Sequence, residues 1–285
     1  MDASELALFR ASLARATENH TGKALDDTLD ELGWRDALTQ DRRVAVSTLF
    51  ELQGRANATS SALDAVLANA LGTDGPVVLP PFGSCDQPQS RGLGTYAFAN
   101  RKPDGVTVSP VAGIDPDLAL VEVTGDLQFA GPSSRWPEAV AAGQLALAHE
   151  LIGASRTMLQ LARDHAVERI QFGRPIAAFQ AVRHRLAESF VAIEAADAAL
   201  AVAWELGSAA AAAMAKAVAG RGGRTVARHC QQVLAGVGFT TEHPFHRYLR
   251  RALVLDALLG DTRTLTQQLG AEMLRTRELP LVVPL

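Results

Sequence analysis

The second half of this sequence most restricts what it can become. From about residue 136 to 277, apolar residues recur at helical spacing over four long stretches, 136–167, 176–207, 208–234 and 245–277, divided only by short loops. Four such segments with brief connections predict antiparallel helices packed as a four-helix bundle. The third stretch is very rich in Ala, which favours helix and close packing, and Gly220, Gly222 and Gly223 read as its weak points.

The rest of the chain divides in two. Residues 1–72 carry helical periods, such as Leu6, Phe9, Leu13 and Leu63, Val66, Leu67, punctuated by Gly22, Gly33, Gly54 and Gly72. Residues 73–135 lose that period. Pro and Gly cluster there, and short runs of strand composition stand at 76–79, 94–98, 106–108 and 118–123. The expected fold is mainly α: an N-terminal helical region (1–72), a small reduced β domain (73–135) and a C-terminal four-helix bundle (136–285).

Composition narrows function by exclusion. The 285 residues include 27 Lys+Arg against 31 Asp+Glu, a net charge of −4. A surface for nucleic-acid phosphates needs the opposite balance, so no nucleic-acid partner is expected. No apolar run approaches the roughly 20 residues of a membrane span, and no signal-peptide order opens the chain. Two cysteines, Cys85 and Cys230, cannot build a disulfide framework, so a cytoplasmic location is expected. The close pair His243-x-x-His246 lacks a Glu at zincin spacing, so no metal is expected.

Two loops carry chemistry. Arg169-Ile-Gln-Phe-Gly-Arg-Pro-Ile176 puts a guanidinium at a predicted helix C-terminus. There it can cap carbonyls and offset the dipole, or clamp a diphosphate with its bidentate fork. Gln232-Val-Leu-Ala-Gly-Val-Gly-Phe239 sets a carboxamide before small residues that let a ligand approach the backbone. Neither loop alone names a ligand.

Together they resemble the acyl-CoA dehydrogenase family. Residues 169–188 are similar to its Arg-x-x-Phe-Gly…Gln segment, and residues 232–251 to its second signature, at a fitting separation. Leu29-Asp-Glu-Leu-Gly-Trp34 and Leu49-Phe-Glu-Leu-Gln-Gly54 resemble short members more loosely. The resemblance implies a helical domain, a β domain and a helical bundle, and FAD-dependent α,β-dehydrogenation of an acyl-CoA thioester. In that reaction a carboxylate takes the Cα proton while the Cβ hydride goes to the flavin. It also implies that Arg169, Phe172, Gln180, Gln232 and Gly236 face the diphosphate and adenine side of an FAD shared with a neighbouring subunit.

The departures are as informative. Leu259 stands where the family's catalytic Glu precedes Gly260, and Gly143 stands at its second base position, so no catalytic residue is assigned. Glu138 and Glu150 lie on the same predicted helix as Gly143 and read as solvated or capping carboxylates. Gly260-Asp-Thr-Arg263 replaces the family's Gly-Thr-x-Gln run and brings Asp261 toward a diphosphate. Gly83-Ser-Cys-Asp86 is at most a remnant of the run that meets the flavin ring. The expectation is therefore the base-lacking subunit of a heteromeric acyl-CoA dehydrogenase, like the paired subunits of actinobacterial steroid degradation, with an acyl-CoA substrate and a homologous partner chain. The alternatives are a scaffold or regulatory subunit that has lost FAD, and a homo-oligomeric dehydrogenase with a relocated base such as Glu150.

Overall fold

The computed structural model describes residues 3–88, 95–98, 103–111, 113–124 and 133–277. Five helices open the chain: α1 (Ala3–Asn19), α2 (Lys23–Glu31), α3 (Trp34–Gln40), α4 (Arg42–Ala56) and α5 (Ala62–Leu71). Asp41 starts α4 by accepting from Val44 N at 3.0 Å, and Asn57 and Gly72 end α4 and α5 in the left-handed conformation.

A three-stranded antiparallel sheet follows, β1 (Thr95–Phe98), β2 (Thr107–Pro110) and β3 (Leu120–Thr124), in the order β1-β3-β2. Tyr96 lies opposite Glu122, and Val108 opposite Val123. Ala97, Val121 and Val123 bury one face against Val78. The expected strand at 76–79 does not form. Among the described residues only Leu79 pairs, exchanging backbone bonds of 2.7 and 3.1 Å with Tyr96. Pro76, Pro80 and Pro81 have no N–H to extend a ladder, and Val77 N is taken by Asp64 Oδ1 at 2.6 Å. Gly94, the head of the second expected run, lies outside the described residues.

The bundle is built on α6 (Trp136–Glu168), one helix of 33 residues. It packs against α4, α5, α7 (Gln180–Leu206), α8 (Ala209–Leu234) and α9 (Phe245–Ala257). Where α4 crosses α6, Gly54 meets the Glu150 carbonyl and Gly153 meets the Glu51 carbonyl, and a Cβ on either glycine would overlap the facing backbone. The expected weak points of α8 do not break it. Gly220 makes room for Asp256 and Thr262, and Gly222 for the Ala192 carbonyl. Their packing outweighs an intrinsic cost of about 1 kcal/mol per glycine.

The last predicted helix is two helices. α9 stops at Ala257, and α10 (Thr262–Thr276) starts after an elbow in which Leu259 (φ 52) and Gly260 (φ 92) are left-handed. Asp261 caps α10, accepting from Arg263 N at 2.8 Å and Thr264 N at 2.9 Å. Periodicity misses this break because Leu258, Leu259 and Leu265 continue the apolar pattern through it.

Candidate active-site region

The five residues singled out for a cofactor collect at one end of the bundle. Arg156 on α6 pairs with Asp197 on α7, and Glu188 on α7 faces His229 on α8 at 3.6 Å. These pairs make the three helices alternate in direction. The C-terminus of α6, the N-terminus of α7 and the C-terminus of α8 therefore share one end, with Arg169, Gln180 and Gln232 on it.

Arg169 is the C-cap of α6, and its N–H donates to His165 O at 2.8 Å. Its guanidinium is exposed and makes no hydrogen bond to a described residue, so among those residues it caps no carbonyl. A two-strand hairpin follows, β4 (Ile170–Gln171) with β5 (Arg174–Pro175). Its turn is Phe172 (φ 53) and Gly173 (φ 76), both left-handed as a tight primed hairpin turn requires. Phe172 is thereby pushed out to 91% exposure. It meets Phe179 edge-on at 6.0 Å, and Arg174 lies 4.4 Å over the Phe179 ring. Gln180 opens α7, which has no side-chain cap, so its first amides point outward beside the exposed carboxamide. Across the bundle end, Gln232 is exposed in the last turn of α8, and the backbone at Gly236 is open, with nothing within 4 Å of where a Cβ would lie.

The second group lies inside. The two positions where the resemblance expects a catalytic carboxylate, 116 residues apart in sequence, touch each other. A Cβ on Gly143 would collide with Leu259 Cδ1 and lie 3.0 Å from Leu67 Cδ2 and 3.5 Å from Leu63 Cδ1. Leu259 is 1% exposed, a leucine seated in the notch that a glycine leaves. Its backbone is held on both sides. Gln144 Nε2 donates to Leu259 O at 3.0 Å, while Lys216 Nζ donates to Asp256 O at 2.9 Å and Gly260 O at 2.6 Å. Burial pulls the Lys216 amine down to about 8 against the opposing charges of Asp256 and Asp261. Asp256 also takes bonds from Arg224 and from Thr262 Oγ1.

Glu150 corrects an expectation. It is not solvated but 2% exposed, joined to Arg251 Nη1 at 3.3 Å and to Gln53 Nε2 at 3.1 Å. Arg251 is wholly buried and also donates to Asp115 Oδ2 at 2.5 Å, Ala58 O at 2.7 Å and Thr59 Oγ1 at 2.8 Å. Burial raises the Glu150 carboxyl to about 7 despite Arg251, because one guanidinium serves two carboxylates. Glu138 is exposed beside Arg42 at 3.4 Å. Sequence reasoning does not single out Arg251, Asp115, Gln144 or Asp256. Lys216 carries a readable signal, as the only charge in an alanine-rich run from 209 to 220.

Among the described residues no cluster of His, Cys, Asp and Glu could hold a metal ion, and no helix is long and apolar enough to cross a membrane. Residues 137–274 match the C-terminal domain of acyl-CoA dehydrogenases. The acyl-CoA dehydrogenase IpdE2 of Mycobacterium tuberculosis is 35% identical over 167 residues, covering 59% of this chain and 52% of that protein. The chain thus spans about half the length of that relative. Two solved structures share the fold at low identity. One is the Tcur3481-Tcur3483 steroid ACAD G363A variant, with a TM-score of 0.77, 22% identity, and coverage of 96% of this chain and 99% of that one. The other is the ChsE4-ChsE5 complex from Mycobacterium tuberculosis, with a TM-score of 0.71, 20% identity, and 99% of each chain covered. The signatures of residues 169–188 and 232–251 thus stand together at one end of a helical bundle, within the residues 137–274 that match the acyl-CoA dehydrogenase C-terminal domain.

Proposed function

We propose that the chain is the base-lacking subunit of a hetero-oligomeric, FAD-dependent acyl-CoA dehydrogenase. One observation carries this reading: Leu259 fills the Gly143 notch. The three nearest neighbours of a side chain at position 143 would be the leucines Leu259, Leu67 and Leu63, not a carboxylate. Glu150, about two turns of α6 away, is spent on Arg251 and Gln53. The Cα base would come from the partner.

The donors at the bundle end fit a dinucleotide. Arg169 offers a free bidentate fork for a diphosphate, and the uncapped start of α7 offers outward amides and the positive end of a 27-residue helix. Phe172 supplies an aromatic face, Gln180 and Gln232 supply carboxamides, and Gly236 leaves the backbone accessible. FAD bound there would serve as hydride acceptor for the partner's thioester. The same end exposes Val167, Ile170, Phe172 and Phe239, apolar surface that a second subunit would cover. The fold neighbours that are complexes of two named chains support a heteromeric arrangement. The domain division at 72 and 135, with its small β domain, belongs to this reading, as does an acyl-CoA substrate.

The test is purification of the chain alone and co-expressed with a homologous subunit. The lone chain is expected to be colourless and inactive, and the complex yellow and able to reduce an electron-accepting dye with an acyl-CoA. Arg169→Met in the complex should lose flavin. Tight flavin binding and turnover by the lone chain would overturn the proposal. One observation favours a second reading, a cofactor-free scaffold: the Asp261 carboxylate already occupies the N-terminus of α10. That reading expects no flavin in any assembly.

A further inference from the structure

We propose that a cavity between the sheet and the face of α9 turned away from the bundle binds a neutral, apolar, ring-bearing small molecule. The cavity measures about 370 Å³, within the range of roughly 300–1,000 Å³ typical of ligand sites. Its walls come from three parts of the chain: Phe82 after the Pro80-Pro81 pair, Tyr96 on β1 with Val111 and Ile114, and Leu253 and Val254 on α9. α9 turns Leu253, Val254 and Ala257 to this side and Ala252, Leu255 and Asp256 into the bundle, so the cavity is separate from the elbow.

The lining states the chemistry of the ligand. Phe82 and Tyr96 stack with ring centroids 4.3 Å apart and planes at 27°, forming an aromatic shelf that a flat ring extends. Among the described residues of the lining Asp115 is the only charged one, and its carboxylate is buried and committed to Arg251 at 2.5 Å. An ionised ligand would lose hydration on entering these apolar walls and would find the Asp115 charge already paired. The mouth is rimmed by apolar side chains left in water: Ile114 at 55% exposure, Leu253 at 39%, and Phe82. Apolar groups gathered round a concavity, rather than scattered, mark a place where apolar surface is covered.

The test is titration of the full chain with N-phenyl-1-naphthylamine, a neutral aromatic dye that brightens in apolar surroundings. Saturable binding to one site is expected. Ile114→Glu and Leu253→Glu change exposed rim positions, so both variants should keep the wild-type circular dichroism and melt. Each should weaken binding about tenfold or more, as loss of one apolar contact implies. Leu274→Ser, at a more exposed leucine on α10, should leave binding unchanged. The sulfonated analogue 1-anilinonaphthalene-8-sulfonate should bind more weakly than the neutral dye. No saturable binding, or binding indifferent to both rim variants, would overturn the proposal. So would occlusion of the cavity by a co-purified partner subunit, which would make it part of a protein interface.

Discussion

Replacing Arg251 by Met removes the cation at the centre of a buried cluster and roughly keeps its volume. In the native chain that guanidinium joins α9 to Glu150 on α6, to Asp115 in the loop before β3, and to Ala58 O and Thr59 Oγ1 between α4 and α5. Arg251→Met would leave two carboxylates in the interior without a counter-charge and two acceptors without a donor. Breaking a buried pair by removing one partner costs about 3–5 kcal/mol, which for a chain of this size is a fall in Tm on the order of 10 °C. The loss should depend on pH. The Glu150 carboxyl is raised to about 7 from an ordinary 4.5, so its ionisation already destabilises the folded chain as pH climbs from about 4.5 to 7, by on the order of 3 kcal/mol, and adds nothing further above that. Without Arg251 the Glu150 carboxyl should rise further, so the gap between wild type and variant should widen from pH 5 to pH 8. Melts followed by circular dichroism at several pH values measure this. Adding Glu150→Gln to the variant should recover part of the loss at pH 8. A variant that melts within about 1 °C of wild type, or a gap that ignores pH, would refute the reasoning.

The remaining predictions concern the elbow and the bundle end. Leu259→Ala should open a cavity against Gly143 and cost about 3 kcal/mol in urea unfolding. Gly143→Ala should cost about 1–3 kcal/mol by overlap with Leu259, and the double variant should be more stable than the two single losses added together. Lys216 has its amine lowered to about 8 from 10.5, so it should contribute stability that rises as pH goes from about 8 to 10.5; Lys216→Met should lose that slope, besides weakening the elbow whose two carbonyls the amine holds. Arg169→Ala, at an exposed site, should shift the stability of the lone chain by less than about 0.5 kcal/mol in denaturant titration.

The bundle was legible because apolar spacing over long stretches leaves few alternatives. The bundle-end loop was legible because Arg169, Phe172 and Gln180 lie within one short segment and Gln232 and Gly236 within another. The strand at 76–79 was misread because its composition suits a ladder while its flanking prolines cannot donate to one. The break at Leu259 was invisible because an apolar residue in the left-handed conformation looks, in sequence, like any other turn of helix. Glu150 was misread because burial is a property of its neighbours: Arg251 lies 101 residues away, and nothing local announces it.

By itself, then, the sequence determined the helical architecture and the family signatures, since these depend on residue identity and on local periodicity. The tertiary structure decided that Gly143 and Leu259 meet in one place, held by Gln144 and Lys216. It also decided that Arg251 is the hub joining the helices to the loop before β3. Both are contacts between residues far apart in the chain, set by the way α6, α8 and α9 pack, and side-chain packing at that range leaves no pattern along a single sequence.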